Sequence, residues 1–280
     1  MRIIELNNHV RMPALGIGTF QLSPEEAYQS VLEALKVGFR LIDTANAYVN
    51  ERAVGRAIKD SGVSRGEIFI STKIWPTEYE NPNAVEETLE RLGVDYIDLL
   101  FLHQPVGNWK EGYRMLEKAL AEGKIKAIGV SNFEGQFLMD LYKECKVKPQ
   151  VIQVEAHPFF WNKEVRREAA IKDLAFMSWF PLGHGDPALL ENETVKKIAE
   201  AHKKSPAQVI LRWHIQCGMI VIPGSKNKEH IKEDFELFDF ELNDKEMYDM
   251  AYLHKDKRYH EITADSLLKY LTTPLTYEEK

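Results

Sequence analysis

Residues 68–103 read IFISTKIWPTEYENPNAVEETLERLGVDYIDLLFLH and hold one complete strand–helix–strand unit. The apolar runs Ile68–Ile74 and Ile97–His103 show little alternation with polar residues, which is typical of parallel strands buried on both faces. Between them, apolar residues recur with the helical period as far as Gly93. The stretch therefore predicts two parallel strands joined by a helix.

The same unit recurs along the whole chain. Eight apolar runs alternate with segments of helical period, and no linker or low-complexity segment interrupts them. The runs are Leu15–Phe20, Arg40–Ala45, Ile68–Ile74, Ile97–His103, Ile125–Ser131, Val151–Ala156, Ala175–Leu182 and Met219–Ile222. Eight such units are the number that closes a (β/α)8 TIM barrel.

Local signals mark where the predicted helices begin and end. Ser23–Glu26 and Ser205–Gln208 have the pattern of a capping box with proline at the first helical position. Glycines close several helical segments shortly before a strand, as at αβ connections. These glycines are Gly38, Gly62, Gly93, Gly123 and Gly218.

The length of 280 residues allows either two ordinary domains or one α/β barrel of roughly 250 residues with additions. The rival architecture, a doubly wound sheet, would carry a glycine-rich dinucleotide turn after an early strand. Gly16-Ile17-Gly18 begins that pattern but Gln21 stands at the third glycine position, and Gly183–Ala188 fits only late in the chain. We therefore predict a single-domain barrel spanning residues 1–280.

Composition excludes several classes of protein. The chain has 36 basic and 43 acidic residues, a net charge of −7, and no basic tract, which argues against a nucleic-acid binder. The two cysteines, Cys145 and Cys217, are too few for a disulfide framework and indicate a reducing compartment. No secretory signal or membrane-spanning run is present, so we expect a cytoplasmic protein without a membrane partner.

Ionisable residues end three successive predicted strands, where barrel enzymes place their chemistry. They are Asp43, Lys73 and His103. A lysine that leaves a buried strand needs a carboxylate, and Asp43 on the neighbouring strand is the natural partner. Singly, each residue also has a structural explanation: a turn cap, a lysine reaching solvent, or a satisfied core histidine. Tyr48 adds a phenol at the same rim. Its structural explanation is an aromatic side chain that fills the mouth of the barrel.

Together these four side chains suit the polarisation of a carbonyl group. A phenol titrates near ~10, and a nearby ammonium favours its ionised form and makes it a better acid. A carboxylate would keep that ammonium charged, and a neutral imidazole would orient the substrate oxygen. No side chain supplies a hydride, so a reduction requires a bound cofactor.

Further segments occur in a fixed order around these residues. They are Leu15–Phe20, Asp43-Thr44-Ala45, Asn50-Glu51, Ser71-Thr72-Lys73, Leu102-His103, Gly129–Phe133, Gln153–Pro158 and Trp179–Gly183. In this order the sequence resembles the aldo-keto reductase family over nearly the whole chain, and most of all its bacterial diketogluconate reductase and glyoxal reductase branch. The resemblance implies NADPH-dependent reduction of aldehydes or ketones, including small dicarbonyls and keto-sugars.

The resemblance also implies roles for individual residues. Asp43, Tyr48, Lys73 and His103 would be the catalytic tetrad, with Tyr48 as proton donor. The implied cofactor-binding residues are Gly18, Thr19, Asp43, Ser131, Asn132, Gln153, Trp179, Leu182, Gly183, Ser225, Lys226, Asn227, His230 and Asp234. The implied substrate pocket contains Phe20, Trp75, His103 and Trp109, although Phe20, Trp75 and Trp109 could instead pack the top of the barrel. Without the resemblance, Gln153 would be a polar residue inside the barrel and Trp179 core packing.

The resemblance also gives expectations for the two ends of the chain and for the oligomeric state. Residues 1–13 are expected to close the bottom of the barrel. Residues 254–280 are expected to form a tail near the substrate pocket. Small barrels of the family are often monomers, and we expect a monomer with a small carbonyl compound as its partner.

Two departures from the family pattern concern the cofactor and the tyrosine loop. Gly224 stands where a lysine is usual, and His230 where an arginine is usual. Histidine loses its charge near neutral pH, so we expect NADPH with weakened discrimination against NADH. Val49 stands where the family often has glycine beside the tyrosine.

Two other functions compete with this interpretation. A metalloenzyme is disfavoured because the histidines form no metal-binding motif and are far apart in sequence, so no metal is expected. A cofactor-binding regulatory or sensor protein on the same fold, without significant turnover, is the non-enzymatic alternative.

Overall fold

The computed structural model describes residues 2–277. A short antiparallel hairpin, β1 (Ile3–Glu5) with β2 (Arg11–Pro13), precedes the main sheet. Eight parallel strands then follow one another in chain order around the sheet. They are β3 (Ile17–Gly18), β4 (Leu41–Asp43), β5 (Phe69–Ile74), β6 (Leu99–Leu102), β7 (Ile128–Ser131), β8 (Val151–Glu155), β9 (Ala175–Trp179) and β10 (Ile220–Val221).

The first and last strands meet and close the barrel. Leu15 bridges to Val221 in parallel fashion, and the Gly16 amide donates to the Val221 carbonyl at 2.9 Å. All eight runs predicted from the sequence contain one of these strands, and the predicted (β/α)8 barrel is confirmed. The doubly wound alternative is thereby excluded.

Helices connect the strands and cover the outside of the barrel. Those after β3 to β6 are α1 (Pro24–Val37), α2 (Glu51–Asp60), α3 (Ala84–Leu92) and α4 (Trp109–Ala121). Those that follow are α5 (Gln136–Glu144), α6 (Lys163–Ile171), α7 (Pro187–Leu190), α8 (Glu193–His202), α9 (Pro206–Gln216), α10 (Lys228–Phe235), α11 (Asp244–Ala251) and α12 (Ala264–Thr272).

The structure contains the predicted signals for the starts and ends of helices. Ser23 and Ser205 cap α1 and α9 in complete capping boxes, each followed by proline. All five predicted helix-ending glycines have positive φ, a conformation that costs other residues more than glycine. Local sequence chemistry thus sets both ends of several helices.

The two ends of the barrel differ in character. Leu6 and Met12 of the hairpin region pack with Leu41, Phe69 and Leu99 from the strands, in a buried apolar cluster inside the sheet. At the other end, the strand register aligns Asp43 with Ser71, so polar residues converge where the strands finish. None of the helices in residues 2–277 is long and apolar enough to cross a bilayer.

Candidate active site

The structure brings the four predicted tetrad residues together at the carboxyl ends of the strands. Asp43 ends β4, Lys73 lies in β5, His103 directly follows β6, and Tyr48 ends the 3₁₀ turn Asn46–Tyr48. Lys73 Nζ lies 2.6 Å from Asp43 Oδ2 and 5.0 Å from the centre of the Tyr48 ring. The Tyr48 and His103 ring centres are 5.7 Å apart.

Asp43 and Lys73 form a buried ion pair within a dense set of hydrogen bonds. Both residues are 1% exposed. Ser71 Oγ donates to Asp43 Oδ1 at 2.5 Å and Gln153 Nε2 donates to the same oxygen at 3.2 Å. Lys73 also donates to the Thr44 carbonyl at 2.8 Å. The ammonium therefore has a fixed position.

The charge of Lys73 is maintained despite its burial. Burial alone would lower the pKa of this ammonium, but the Asp43 carboxylate and the Tyr48 phenol outweigh that effect. The net result is a raised pKa for Lys73. A permanent positive charge thus lies beside the Tyr48 hydroxyl.

Tyr48 differs in one respect from the expectation drawn from sequence. Lys73 does lower the pKa of the phenol, as expected, but burial raises it by more. The net pKa of Tyr48 is therefore raised above 10.0, because desolvation of a phenolate is more costly than the ammonium can offset. Tyr48 remains protonated near neutral pH and can act as a proton donor.

His103 is held in its neutral form. Burial and the charge of Lys73 both move its pKa well below 6.5. Its ring meets the Trp75 ring edge-on at 4.9 Å, and its Nδ1 has no hydrogen-bond partner within residues 2–277. A neutral imidazole here can hydrogen-bond a substrate oxygen without competing with Tyr48 as the acid.

A cleft of about 640 Å³ opens above these residues. Predicted residues on its wall are Gly18, Phe20, Asp43, Tyr48, Trp75, His103, Ser131, Asn132, Gln153, Trp179 and Leu182. Lys73 lies beneath this wall, against Asp43. Within residues 2–277, no group of three histidine, cysteine, aspartate or glutamate side chains is arranged to hold a metal ion.

An amide-rich part of the cleft wall fits a nicotinamide carboxamide beside a flat ring. Trp179 Nε1 donates to Asn132 Oδ1 at 3.1 Å, and Asn132 Nδ2 donates to the His103 carbonyl at 3.3 Å. Ser131 and Gln153 lie on the same wall. The indole ring of Trp179 is thereby fixed where it offers an aromatic face to a ligand.

Glycines form a narrow part of the same cleft. A Cβ on Gly18 would lie 3.0 Å from the Ile222 carbonyl oxygen, and one on Gly224 would lie 3.0 Å from the Gly18 carbonyl oxygen. Gly183 has positive φ and a Cβ there would meet Leu189 and Tyr259. Glycine is thus needed at these positions for packing against neighbouring protein atoms; Gly18 and Gly224 also line the cleft, whereas Gly183 does not.

Five further predicted cofactor residues, Ser225, Lys226, Asn227, His230 and Asp234, are not on the described wall. Lys226 pairs with Glu26 at 2.9 Å and is largely exposed, as is His230 on α10. Ser225 Oγ accepts from the Asn227 amide at 3.1 Å. Asp234 is buried, and burial followed by the charge of Glu233 raises its pKa to about 7.

Two predicted residues are placed away from the cleft. The hydroxyl of Thr19 is buried and donates to the Asp43 carbonyl at 3.3 Å, behind the wall. Trp109, expected in the substrate pocket, begins α4 and packs edge-on against Phe133 at 5.8 Å. The start of the helix turns this indole toward the apolar core, so Trp109 does not line the described cleft.

Other cleft residues were not assigned individually to the site from the sequence, although Gly224 was noted as a departure from the family pattern and residues 254–280 were expected near the pocket. These other cleft residues are Gln21, Ala47, Gln104, Phe180, Pro181, His184, Gly185, Ile222, Pro223, Gly224, His260, Tyr270, Thr273 and Leu275. Glu155 Oε1 accepts from the Tyr259 amide at 2.6 Å, and Trp75 Nε1 donates to the Tyr270 carbonyl at 3.0 Å. These two bonds hold the C-terminal segment over the rim.

Val49, the second departure from the family pattern, has φ 58° immediately after Tyr48. A β-branched residue rarely adopts this left-handed conformation, and strain of this kind tends to occur near functional sites. Nothing in the structure explains the choice of valine there.

Comparisons with known proteins agree with this geometry. A model of the aldo/keto reductase family matches residues 14–255. The chain is 45% identical over 260 residues to a glyoxal reductase of Bacillus subtilis, across 91% of this chain and 94% of that protein. It is 44% identical over 265 residues to a 9,11-endoperoxide prostaglandin H2 reductase of Trypanosoma cruzi, across 91% and 92%.

A solved structure extends the likeness to three dimensions. An aldo/keto reductase from Brucella melitensis superposes with a TM-score of 0.86 at 44% identity, across 90% of this chain and 99% of that one. The resemblance to the family and to its glyoxal reductase branch is confirmed. The chain therefore belongs to the aldo/keto reductase family and is an NAD(P)H-dependent oxidoreductase.

Proposed function

We propose that the protein reduces small aldehydes or ketones to alcohols with NADPH, and that Tyr48 is the proton donor. The observation that carries this proposal is the buried Asp43–Lys73 ion pair beside the half-buried Tyr48 and a neutral His103 on an aromatic cleft. The similarity to the glyoxal reductase of Bacillus subtilis favours small dicarbonyl compounds as substrates.

Each of the four side chains has its own role in the reduction of a bound carbonyl group. His103 donates a hydrogen bond to the carbonyl oxygen and orients it toward the phenol. Tyr48 transfers its proton to that oxygen as negative charge develops there. Lys73 stabilises the phenolate that remains, because its ammonium is fixed 5.0 Å from the Tyr48 ring. Asp43 keeps Lys73 charged and in place.

The cofactor would occupy the remainder of the cleft. A bound reduced nicotinamide supplies the hydride. Ser131, Asn132 and Gln153 would hold its carboxamide, and Trp179 would cover one face of its ring. The glycine-lined part, with Leu182, would follow the pyrophosphate. Ser225, Lys226, Asn227, His230 and Asp234 would contact the adenosine half. Thr19 would support the wall from behind.

Isotope transfer tests the reaction. Reduction of methylglyoxal with NADPH that carries deuterium at the transferable position should give an alcohol with one deuterium on the former carbonyl carbon. Deuterium found only in solvent would contradict direct hydride transfer in this cleft.

The pH dependence should reflect a tyrosine acid and a neutral histidine. The pKa of His103 is well below 6.5 and that of Tyr48 is above 10.0, so both stay in their active forms between these values. We expect kcat for reduction, at saturating cofactor, to stay flat from about pH 6.5 to about pH 9. A step with its midpoint near pH 6.5 would instead indicate that protonated His103 is the acid.

Cofactor preference should depend on pH. Lys226 is partly neutralised by Glu26, and position 230 carries an imidazole where the family usually has a permanently charged arginine. We expect the ratio of kcat/KM for NADPH over NADH to be severalfold higher at about pH 6 than at about pH 8. An unchanged, very large preference for NADPH at both pH values would contradict the role of His230.

Several broader assignments accompany the function. We propose a cytoplasmic monomer, and the two free cysteines fit a reducing compartment. The whole chain would form one domain, with residues 1–13 closing the bottom of the barrel through the hairpin. The tail, residues 254–280, would border the substrate pocket through His260 and Tyr270. Residues 278–280 lie outside the described part of the chain.

A further inference from the structure

One polar side chain on the cleft wall belongs neither to the tetrad nor to the proposed cofactor contacts. Gln104 follows His103 at the exit of β6 and lines the cleft. It is 6% exposed, and its amide Oε1 is shielded from solvent without a hydrogen-bond partner in residues 2–277. Buried amide oxygens are nearly always paired with protein, water or ligand. An unpaired one in a residue on a cleft wall is free to bond a ligand once the amide turns about its terminal torsion.

The backbone around Gln104 does not require this side chain. The buried Tyr79 hydroxyl accepts a hydrogen bond from the Gln104 amide N–H at 3.0 Å and donates one to the Gln104 carbonyl at 2.8 Å. Burial raises the pKa of Tyr79, so its hydroxyl stays protonated and keeps both bonds. The main chain is thus held by one fixed group, and the side-chain amide is free to contact a ligand.

The surroundings of Gln104 determine which part of a ligand it can contact. The same wall carries the rings of Phe20, Tyr48 and Trp75, so the amide contributes polarity to a largely aromatic region. Its neighbour His103 orients the carbonyl under the proposed function. Because Gln104 lines the same cleft as His103 and Tyr48, we infer that its amide faces a substituent on the carbon next to that carbonyl.

We propose that Gln104 is a specificity-determining residue that hydrogen-bonds a hydroxyl group on the carbon adjacent to the reacting carbonyl. This inference rests on the proposed function. A hydroxyl group can donate to Oε1, or accept from the amide N–H after a half turn of the terminal torsion. The favoured substrates are then α-hydroxy aldehydes and singly hydrated α-dicarbonyls, in preference to unsubstituted aldehydes.

The test compares two aldehydes that differ by a single hydroxyl group, 2-hydroxypropanal and propanal. The ratio of their kcat/KM values is measured for the wild type, for Gln104→Met, which keeps the length but removes the amide, and for Gln136→Met. Gln136 lies exposed on α5 and bonds only locally, to Asp140. We expect Gln104→Met to lower the preference for the hydroxylated aldehyde about tenfold, the effect of one lost hydrogen bond.

The control and the stability measurement separate specificity from folding. Gln136→Met should keep the wild-type ratio, and Gln104→Met should melt at or above the wild-type temperature because an unpaired buried amide is removed. Gln104→Leu should lower the kcat/KM ratio of the two aldehydes by the same factor. If Gln104→Met does not fold, the ratio measured for Gln104→Leu is used in its place. An equal ratio in the wild type and the Gln104 variants would overturn the inference and leave the proposed function intact. Wild-type protein that turns over neither aldehyde, nor any other carbonyl compound, would refute both.

Discussion

Tyr48→Phe should lower kcat for carbonyl reduction by about 10³-fold, because the substitution removes the only hydroxyl in the tetrad. The phenylalanine ring keeps the shape of the cleft wall and its contacts with His103 and Phe20. NADPH affinity, measured by the quenching of tryptophan fluorescence, should therefore change by less than about threefold.

The same substitution at a surface tyrosine controls for the loss of a hydroxyl group. Tyr28 donates a hydrogen bond to Asp60 at 3.0 Å on the outside of the barrel, so Tyr28→Phe should keep the wild-type kcat. If Tyr48→Phe instead loses cofactor binding along with activity, Tyr48 has a structural role. If it keeps normal turnover, another group supplies the proton.

Asp43→Ala should have the largest effect on stability. The variant leaves the buried Lys73 ammonium without its counter-charge, and the donors Ser71 and Gln153 also lose their acceptor. Removing one partner of a buried ion pair costs about 3–5 kcal/mol, and urea denaturation would measure that loss. Turnover should fall as well, because without Asp43 burial lowers the pKa of Lys73 and weakens its effect on Tyr48.

A second buried carboxylate provides the matched control. Asp98 pairs with Arg65 at 2.8 Å and with Lys126 at 2.9 Å, and it precedes β6 at the opposite end of the strands. Asp98→Ala should also lower stability, by about 1–3 kcal/mol, because the buried Ile70 amide loses its acceptor, whereas Arg65 and Lys126 stay partly exposed to water. The folded fraction of that variant should retain wild-type kcat. Equal losses of kcat in both variants would show that the Asp43 effect is only structural. Asp43→Asn, which preserves shape, can replace Asp43→Ala if the latter does not fold.

The sequence is informative about the fold because each strand and helix carries a local signal. Eight apolar runs and the capping residues at Ser23 and Ser205 are short-range features that the structure reproduces. The tetrad could be predicted for a related reason. Parallel strands in a closed barrel finish at one rim, so Asp43, Lys73 and His103 converge once the strands are identified.

The resemblance placed residues 254–280 near the pocket, but the individual contacts of this tail could not be predicted because they depend on long-range packing. His260 and Tyr270 reach the rim only because Glu155 and Trp75 hold the C-terminal segment there. No periodicity in the sequence signals such contacts. The position of Trp109 also depends on packing, since its ring meets Phe133 edge-on, and its place in the substrate pocket stays a prediction.

The sequence also could not show whether the pKa of Tyr48 is raised or lowered overall. Sequence position identifies Lys73 as a neighbouring charge, but the depth of burial decides which effect is larger. Gln104 carried a weak signal as a polar residue directly after a predicted strand end. Only the absence of a partner for its amide oxygen within residues 2–277 reveals its significance.

The most direct test of the central claim is the absorbance of reduced nicotinamide when the wild-type protein is mixed with NADPH and a panel of small aldehydes, ketones and α-dicarbonyls. We predict that the absorbance falls with at least one of these compounds and that one alcohol forms for each NADPH consumed. Tight NADPH binding without turnover of any compound in the panel would contradict the proposal, and would favour a cofactor-binding regulatory or sensor protein built on the same barrel.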